Sequence, residues 1–240
     1  MSDAISVTDL HKTYAGGTHA LKGLTFNIEK GEFFALLGPN GSGKTTFINI
    51  LSGPTLKTSG EIKILGHDID SDRAKTQFIL GVVPQEISFD SFFNVNEVLT
   101  LQAGYYGIKN NQLWIDELLE KLGLEDKKYT NTRALSGGMK RRLLIAKALG
   151  HKPKVLILDE PTAGVDVELR ISLWKYMQKL NKEGLTILLT THYLEEAEQL
   201  CEKTAIIHKG KLVALEKTAK LTEKKKLQEV FLELTKPING

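Results

Sequence analysis

Nine consecutive residues, Gly38-Pro39-Asn40-Gly41-Ser42-Gly43-Lys44-Thr45-Thr46, satisfy every fixed position of the phosphate-binding pattern G-x-x-x-x-G-K-[ST]. Gly41 and Gly43 let the backbone approach phosphate oxygens, and N–H groups at a helix N-terminus favour negative charge. Lys44 offers a full positive charge to β- and γ-phosphates, and the Thr45 hydroxyl can ligate Mg²⁺. Gly38, Asn40, Ser42 and Thr46 complete the expected nucleotide cradle. A second chemical pair follows the apolar run Val155-Leu156-Ile157-Leu158, where Asp159 is placed to hold Mg²⁺ or its waters and Glu160 to polarise an attacking water. A third feature, Leu135-Ser136-Gly137-Gly138-Met139, opens a helix and supplies a hydroxyl and backbone N–H groups to a second anion site. One phosphate group needs only one such cradle.

These residues need a scaffold that delivers them together. Phe33 to Leu37 reads as a buried strand entering the glycine-rich turn, and Thr45 to Leu51 as the helix leaving it. Apolar runs at Ile79–Val83, Val155–Leu158, Thr186–Thr190 and Ala205–Ile207, separated by helical periodicity, predict a covered, mostly parallel sheet. Ile5–Leu10, Ala20–Ile28 and Glu61–Leu65 predict a small antiparallel layer. Between Gln85 and Gly150 no strand is expected, and Trp114, Ile115, Leu118, Leu119 and Leu122 form a helical stripe ended by Gly123. Phe92, Phe93, Tyr105 and Tyr106 are read as core or partner surface. Asp166 is expected to cap a helix that buries Leu169, Leu173, Met177 and Leu180. Lys209-Gly210 is expected to turn a hairpin into Leu212–Leu215, followed by a solvated helix face at Lys224–Lys226 and a weak strand at Val230–Leu234. The predicted class is α/β.

Composition narrows the partners. With 32 Lys+Arg against 29 Asp+Glu, the net charge of +3 gives no general electrostatic case for nucleic acid or an anionic membrane. The single cysteine, Cys201, cannot form an intrachain disulfide and is read as an apolar residue on a helix face. The first residues show neither a basic nor an apolar leader segment, and no apolar run approaches a membrane span, so the chain is expected to be soluble by itself.

With the phosphate loop, LSGGM, VLILDEP and Thr191-His192 in this order, the sequence resembles the nucleotide-binding subunits of ATP-binding cassette (ABC) transporters from Ile5 to about Leu215. The resemblance implies a P-loop, RecA-like sheet core with an antiparallel layer and a helical lobe inserted at about 86–150, in one domain over 1–240 with a short tail at 216–240. It implies that Tyr14 stacks on adenine, that Gln85 reaches Mg²⁺ and the attacking water, and that His192 contacts the γ-phosphate. It further implies that Ala163–Asp166 crosses to a second subunit. In such a head-to-tail dimer each ATP lies between the phosphate loop of one subunit and Ser136-Gly137-Gly138 of the other, and the dimer pairs two copies or two similar subunits. Met139 departs from the commonest pattern, which has Gln there. LSGGM followed by KRR, together with THYLEEAE, is similar to the branch serving exporters. That implies an ATPase bound through an integral membrane permease to the cytoplasmic side of the inner membrane, with ATP and Mg²⁺ as its ligands and no direct nucleic-acid contact. A soluble ABC-type ATPase acting on nucleic acid or ribosomes is the alternative, and such proteins usually carry two cassettes, a long coiled coil or zinc-binding cysteines. A nucleotide-dependent module without hydrolysis is a third, against which Glu160 and His192 argue.

Overall fold

The computed structural model describes residues 2–236. In chain order the elements are β1 (Asp3–Thr13), β2 (His19–Glu29), β3 (Phe33–Leu37), α1 (Lys44–Ser52), β4 (Ser59–Ile64), β5 (His67–Asp68), α2 (Arg73–Ile79) and β6 (Leu80–Val83). They continue with α3 (Val95–Tyr105), α4 (Gln112–Lys121), α5 (Gly137–Leu149), β7 (Val155–Asp159), α6 (Val167–Lys182), β8 (Thr186–Thr190) and α7 (Leu194–Leu200). The chain closes with β9 (Lys203–His208), β10 (Lys211–Lys217), α8 (Thr218–Leu221) and α9 (Leu227–Thr235).

A six-stranded sheet runs β10-β9-β3-β8-β7-β6, and every pair except the β9–β10 hairpin is parallel. Strands β3, β7 and β8 are buried at every residue, which is why they are continuous apolar runs rather than alternating ones. Alternation survives in where the side chains go. Phe33, Ala35 and Leu37 join the core shared with α5, α6 and the lobe, whereas Phe34 and Leu36 join the core shared with α1 and the antiparallel layer. That layer, β2-β1-β4-β5, is fixed to the sheet by aromatic packing: the Phe26 ring stacks on Phe34 at 5.7 Å and meets Phe47 of α1 at 5.4 Å. The uneven start of β2 has a local cause. Gly23, at φ +80°, and Asp9, at φ +46°, lie where the β1–β2 register shifts, and Leu21 and Leu24 are both buried on either side of it.

Helices α3, α4 and α5 with two short 3-10 turns fill the interval between β6 and β7. Asn94 and Glu97 form a reciprocal capping box at the start of α3. The predicted α4 stripe buries Ile115, Leu118 and Leu119, while the Trp114 indole donates to Leu149 O at 3.0 Å. Helix α5 is shared, because its C-terminal end reaches the sheet edge so closely that a Cβ on Gly81 of β6 would lie 2.4 Å from Ala148 O. Phe93 packs on the core and Tyr106 stacks on His151 at 3.7 Å, whereas Phe92 and Tyr105 are exposed.

Four sequence expectations change. Val230–Leu234 is helical, part of α9, because Leu227, Val230, Phe231 and Leu234 repeat at helical spacing and the short apolar run hides that period; Leu227 is fully buried. Lys224–Lys226 lies in the link between α8 and α9 rather than on a helix. Ile79 ends α2, so the strand begins one residue later. Cys201 follows α7 as its C-cap, and its burial pushes the thiol well above its ordinary value.

Candidate active site

Because the core strands are parallel, their C-terminal ends open on one edge of the sheet, where α/β proteins bind ligands. Strand β3 delivers the glycine-rich turn, β6 delivers Gln85, β7 delivers Asp159 and Glu160, and β8 delivers Thr190 to His192. The β7–β8 register places Asp159 opposite Thr190.

The turn is built by close approach. Gly43 caps α1 at φ +114°, and a Cβ there would lie 2.7 Å from Leu21 Cδ2 and 2.8 Å from Ala20 O. No side chain caps α1, so its first N–H groups face the turn. Gly41, at φ +75°, has open space where a Cβ would project, as a phosphate cradle requires. Gly38 serves packing instead, since a Cβ would lie 2.3 Å from Ile207 O of β9. The Gly210 N–H of the β9–β10 hairpin donates to Ser42 O at 2.9 Å, and Lys22 N–H donates to Gly210 O at 2.9 Å. The turn is therefore sewn to both sheets.

Lys44 is 8% exposed. Its ammonium donates to Gly38 O at 2.7 Å and Pro39 O at 3.3 Å. Burial draws it below its ordinary lysine value, against the pull first of Glu160 and then of Asp159. Asp159 is also buried and accepts the Thr190 hydroxyl. Burial pushes its carboxyl up and Glu160 pushes the same way, while the Thr190 bond, Lys44 and Arg141 oppose.

Glu160 stands at φ +49°, a left-handed conformation that costs a non-glycine residue about 1–3 kcal/mol and concentrates at functional sites. Its Oε2 accepts Gln85 Nε2–H at 3.0 Å and lies 3.2 Å from His192 Nδ1. Three residues from the ends of three strands thus meet on one carboxylate oxygen.

A cleft of about 620 Å³ runs in front of these groups. Its walls include Asn40, Gly41, Lys44, Thr45, Thr46, Gln85, Asp159 and Glu160. Tyr14 stands at its mouth, with its hydroxyl 3.3 Å from Thr46 Oγ1. Thr45, Gln85 and Asp159 offer a hydroxyl, an amide and a carboxylate to the same space, a hard-oxygen donor set suited to Mg²⁺. Gly38 and Ser42 lie behind the wall, and His192 reaches it only through Glu160. Lys22 and Lys209 also line the cleft. Sequence reasoning missed both; the Lys209-Gly210 turn was legible, but its approach to the phosphate turn is tertiary.

Ser136, Gly137 and Gly138 do not line this cleft. Ser136 caps α5 by accepting the Met139 N–H at 3.2 Å, and Ser136 and Gly137 are exposed. The Met139 side chain packs against the core. A Cβ on Gly138 would lie 2.6 Å from Leu169 Cδ2, so this turn rests on the start of α6, which Asp166 caps by accepting the Leu169 N–H at 2.9 Å. The Ser136–Gly138 turn, expected from the sequence to be a second anion site, and the Ala163–Asp166 loop therefore neighbour each other, away from the cleft.

Comparison with known proteins gives concordant likenesses. The family described as ABC transporter matches residues 21–163. The Nod factor export ATP-binding protein I of Ralstonia nicotianae is 41% identical over 212 residues, covering 88% of this chain and 66% of that protein. A linearmycin resistance ATP-binding protein of Bacillus subtilis is 38% identical over 213 residues, covering 88% of this chain and 68% of that one. The chain thus spans about two thirds of the length of these relatives. Among solved structures, an ATP-binding subunit of an ABC transporter superposes with a TM-score of 0.89 at 28% identity, covering 96% of this chain and 99% of that one. A dimeric ATP-binding cassette in a post-hydrolysis state, bound to ADP and Pi, superposes with a TM-score of 0.81 at 28% identity, covering 89% of this chain and 98% of that one.

Proposed function

The chain belongs to the ABC transporter family, and from that premise we propose that it is an ATPase subunit that dimerises head to tail around two ATP molecules and powers export by a separate membrane permease. The observation that carries this reading is the convergence of Gln85 and His192 on Glu160 Oε2 at the wall of the phosphate cleft. Binding alone requires no such trio.

In this reading Lys44 and the α1 N-terminus hold the β- and γ-phosphates, and Tyr14 stacks on adenine at the cleft mouth. Glu160, steered by Gln85 and His192, accepts a proton from water as its oxygen attacks the γ-phosphorus; the bond to the β–γ bridging oxygen breaks and ADP leaves. Thr45, Gln85 and Asp159 would hold Mg²⁺, which supplies charge neutralisation to the phosphates when bound. Ser136 to Gly138, outside their own chain's cleft, are free to close the partner copy's site, with Ala163–Asp166 beside them at the interface.

Two likenesses support assembly and direction. One structural neighbour is dimeric, and one relative is named for export. No helix among the described residues is long and apolar enough to cross a membrane. On the family likeness we place the protein on the cytoplasmic face of a membrane permease. A groove of about 570 Å³ between core and lobe, lined by Pro84, Glu86, Ser88 and Gln102, is the surface assigned to it. Gln85 lines the nucleotide cleft while its neighbours Pro84 and Glu86 line that groove, so Gln85→Ala should impair transport in reconstituted vesicles more than it impairs nucleotide binding.

The test is Glu160→Gln. Nucleotide binding should survive while phosphate release falls by about 10²–10⁴-fold, the loss typical of a positioned acid-base group. Gel filtration should then show a monomer-to-dimer shift with ATP and none with ADP, and Ser136→Arg should block it. Normal hydrolysis, or a monomer at saturating ATP, would overturn the proposal.

A further inference from the structure

Arg141 is 3% exposed and lies on α5, five residues beyond the Ser136 cap. Its guanidinium forks onto two successive carbonyls of the segment leaving β6: Nη1–H donates to Pro84 O at 2.9 Å and Nη2–H to Gln85 O at 2.9 Å. The nearby Asp159 and Glu160 offset its buried charge. We propose that Arg141 is a positioning residue that fixes Gln85 to the helix carrying Ser136, so that each ATP, by seating Ser136, sets the Gln85–Glu160 contact at the other ATP. This rests on the head-to-tail reading above.

From Ser136 to Arg141 the helix rises about 7.5 Å, and a continuous α-helix over that length moves as one body. Displacement of Ser136 therefore reaches the Gln85 backbone through two parallel hydrogen bonds, and reaches Glu160 through the 3.0 Å amide contact. A planar fork constrains both position and orientation of the two peptide units, which a lysine ammonium, a point donor, cannot do.

Arg141→Met and Arg141→Lys test it in the full chain, with ATP turnover, KM, cooperativity in ATP and thermal melting measured together. In Arg141→Met, kcat should fall on the order of 10²-fold, as a misplaced catalytic group does, with KM unchanged. The Hill coefficient should fall from about two toward about one, two being the limit for two sites. Arg141→Lys should lie between, and is the deciding variant if the methionine protein does not fold. Combining Arg141→Met with Gln85→Ala should add little further loss, because both act through one contact. The inference is overturned if kcat and cooperativity stay at wild type, if the wild type is itself non-cooperative, or if turnover falls only in step with melting temperature and nucleotide affinity. Should Glu160→Gln fail to dimerise with ATP, the assembly reading fails first; dimerisation with an unaffected Arg141→Met removes this inference alone.

Discussion

At the scale of single residues the site is a cluster of charges that the fold tolerates rather than seeks. Lys44 has its ammonium on backbone carbonyls and is drawn down by burial, so it contributes less to the fold than to a phosphate. Lys44→Ala should cut ATP turnover on the order of 10²- to 10³-fold, the effect of removing one preorganised donor, and a phosphate-release assay checks it. Asp159 gives a prediction with a sign. Its carboxyl is raised above the ordinary 3.8 by burial, so the native state holds that proton more tightly than the unfolded chain. The stability that this one group contributes to the nucleotide-free protein is therefore fully present below the ordinary value and is lost as pH rises through the raised one. Asp159→Asn escapes that loss. It should melt above wild type at neutral pH, and the gap should close as the buffer is made acidic toward 3.8. A wider gap in acid would contradict the assignment. Glu160 was legible from the sequence as a carboxylate past a buried strand, but its left-handed backbone was not, because no glycine or asparagine marks the position.

At the scale of elements, α5 is the member on which most depends, since it begins at Ser136, buries Arg141 and ends against β6. Gly81→Ala would place a methyl against Ala148 O and Pro153 Cγ, contacts of 2.4 and 2.8 Å, of which the first is backbone. The helix or the strand must shift, and denaturant unfolding should show a loss of about 1–3 kcal/mol or more, as overpacking does. The core strands were readable because burial on both faces writes them as unbroken apolar runs, and the α4 stripe because its period is long enough to count. Helix α9 was not, since the short stretch Val-Phe-Leu-Glu-Leu fits a strand as well as a helix until Leu227 extends the period. Arg141 stood in plain view in the basic run after the signature, yet nothing local tells which of Lys140, Arg141 and Arg142 turns inward. That choice is made by carbonyls more than fifty residues away.

At the scale of the whole molecule, ligand and stability are linked. ATP at a hundred times its Kd adds about 2.7 kcal/mol, and at about 2–4 °C per kcal/mol for a domain of this size the melting temperature should rise by about 5–10 °C. Lys44→Ala should show no such rise in scanning calorimetry. The seam through Lys22, Gly210 and Ser42, where a methyl on either Gly43 or Gly210 would strike Ala20 O, has a further consequence in deuterium exchange. The Lys22 amide joins the two sheets and the Gly210 amide ties the β9–β10 hairpin to the phosphate turn, so both should open only with the core and exchange at the rate of global unfolding. Amides of α3 and α4, held by one lobe, should exchange by local opening. Nucleotide at a hundred times its Kd should then slow exchange at amides that open only by global unfolding by about a hundredfold, and should leave the lobe's local openings, which keep the phosphate turn intact, far less affected.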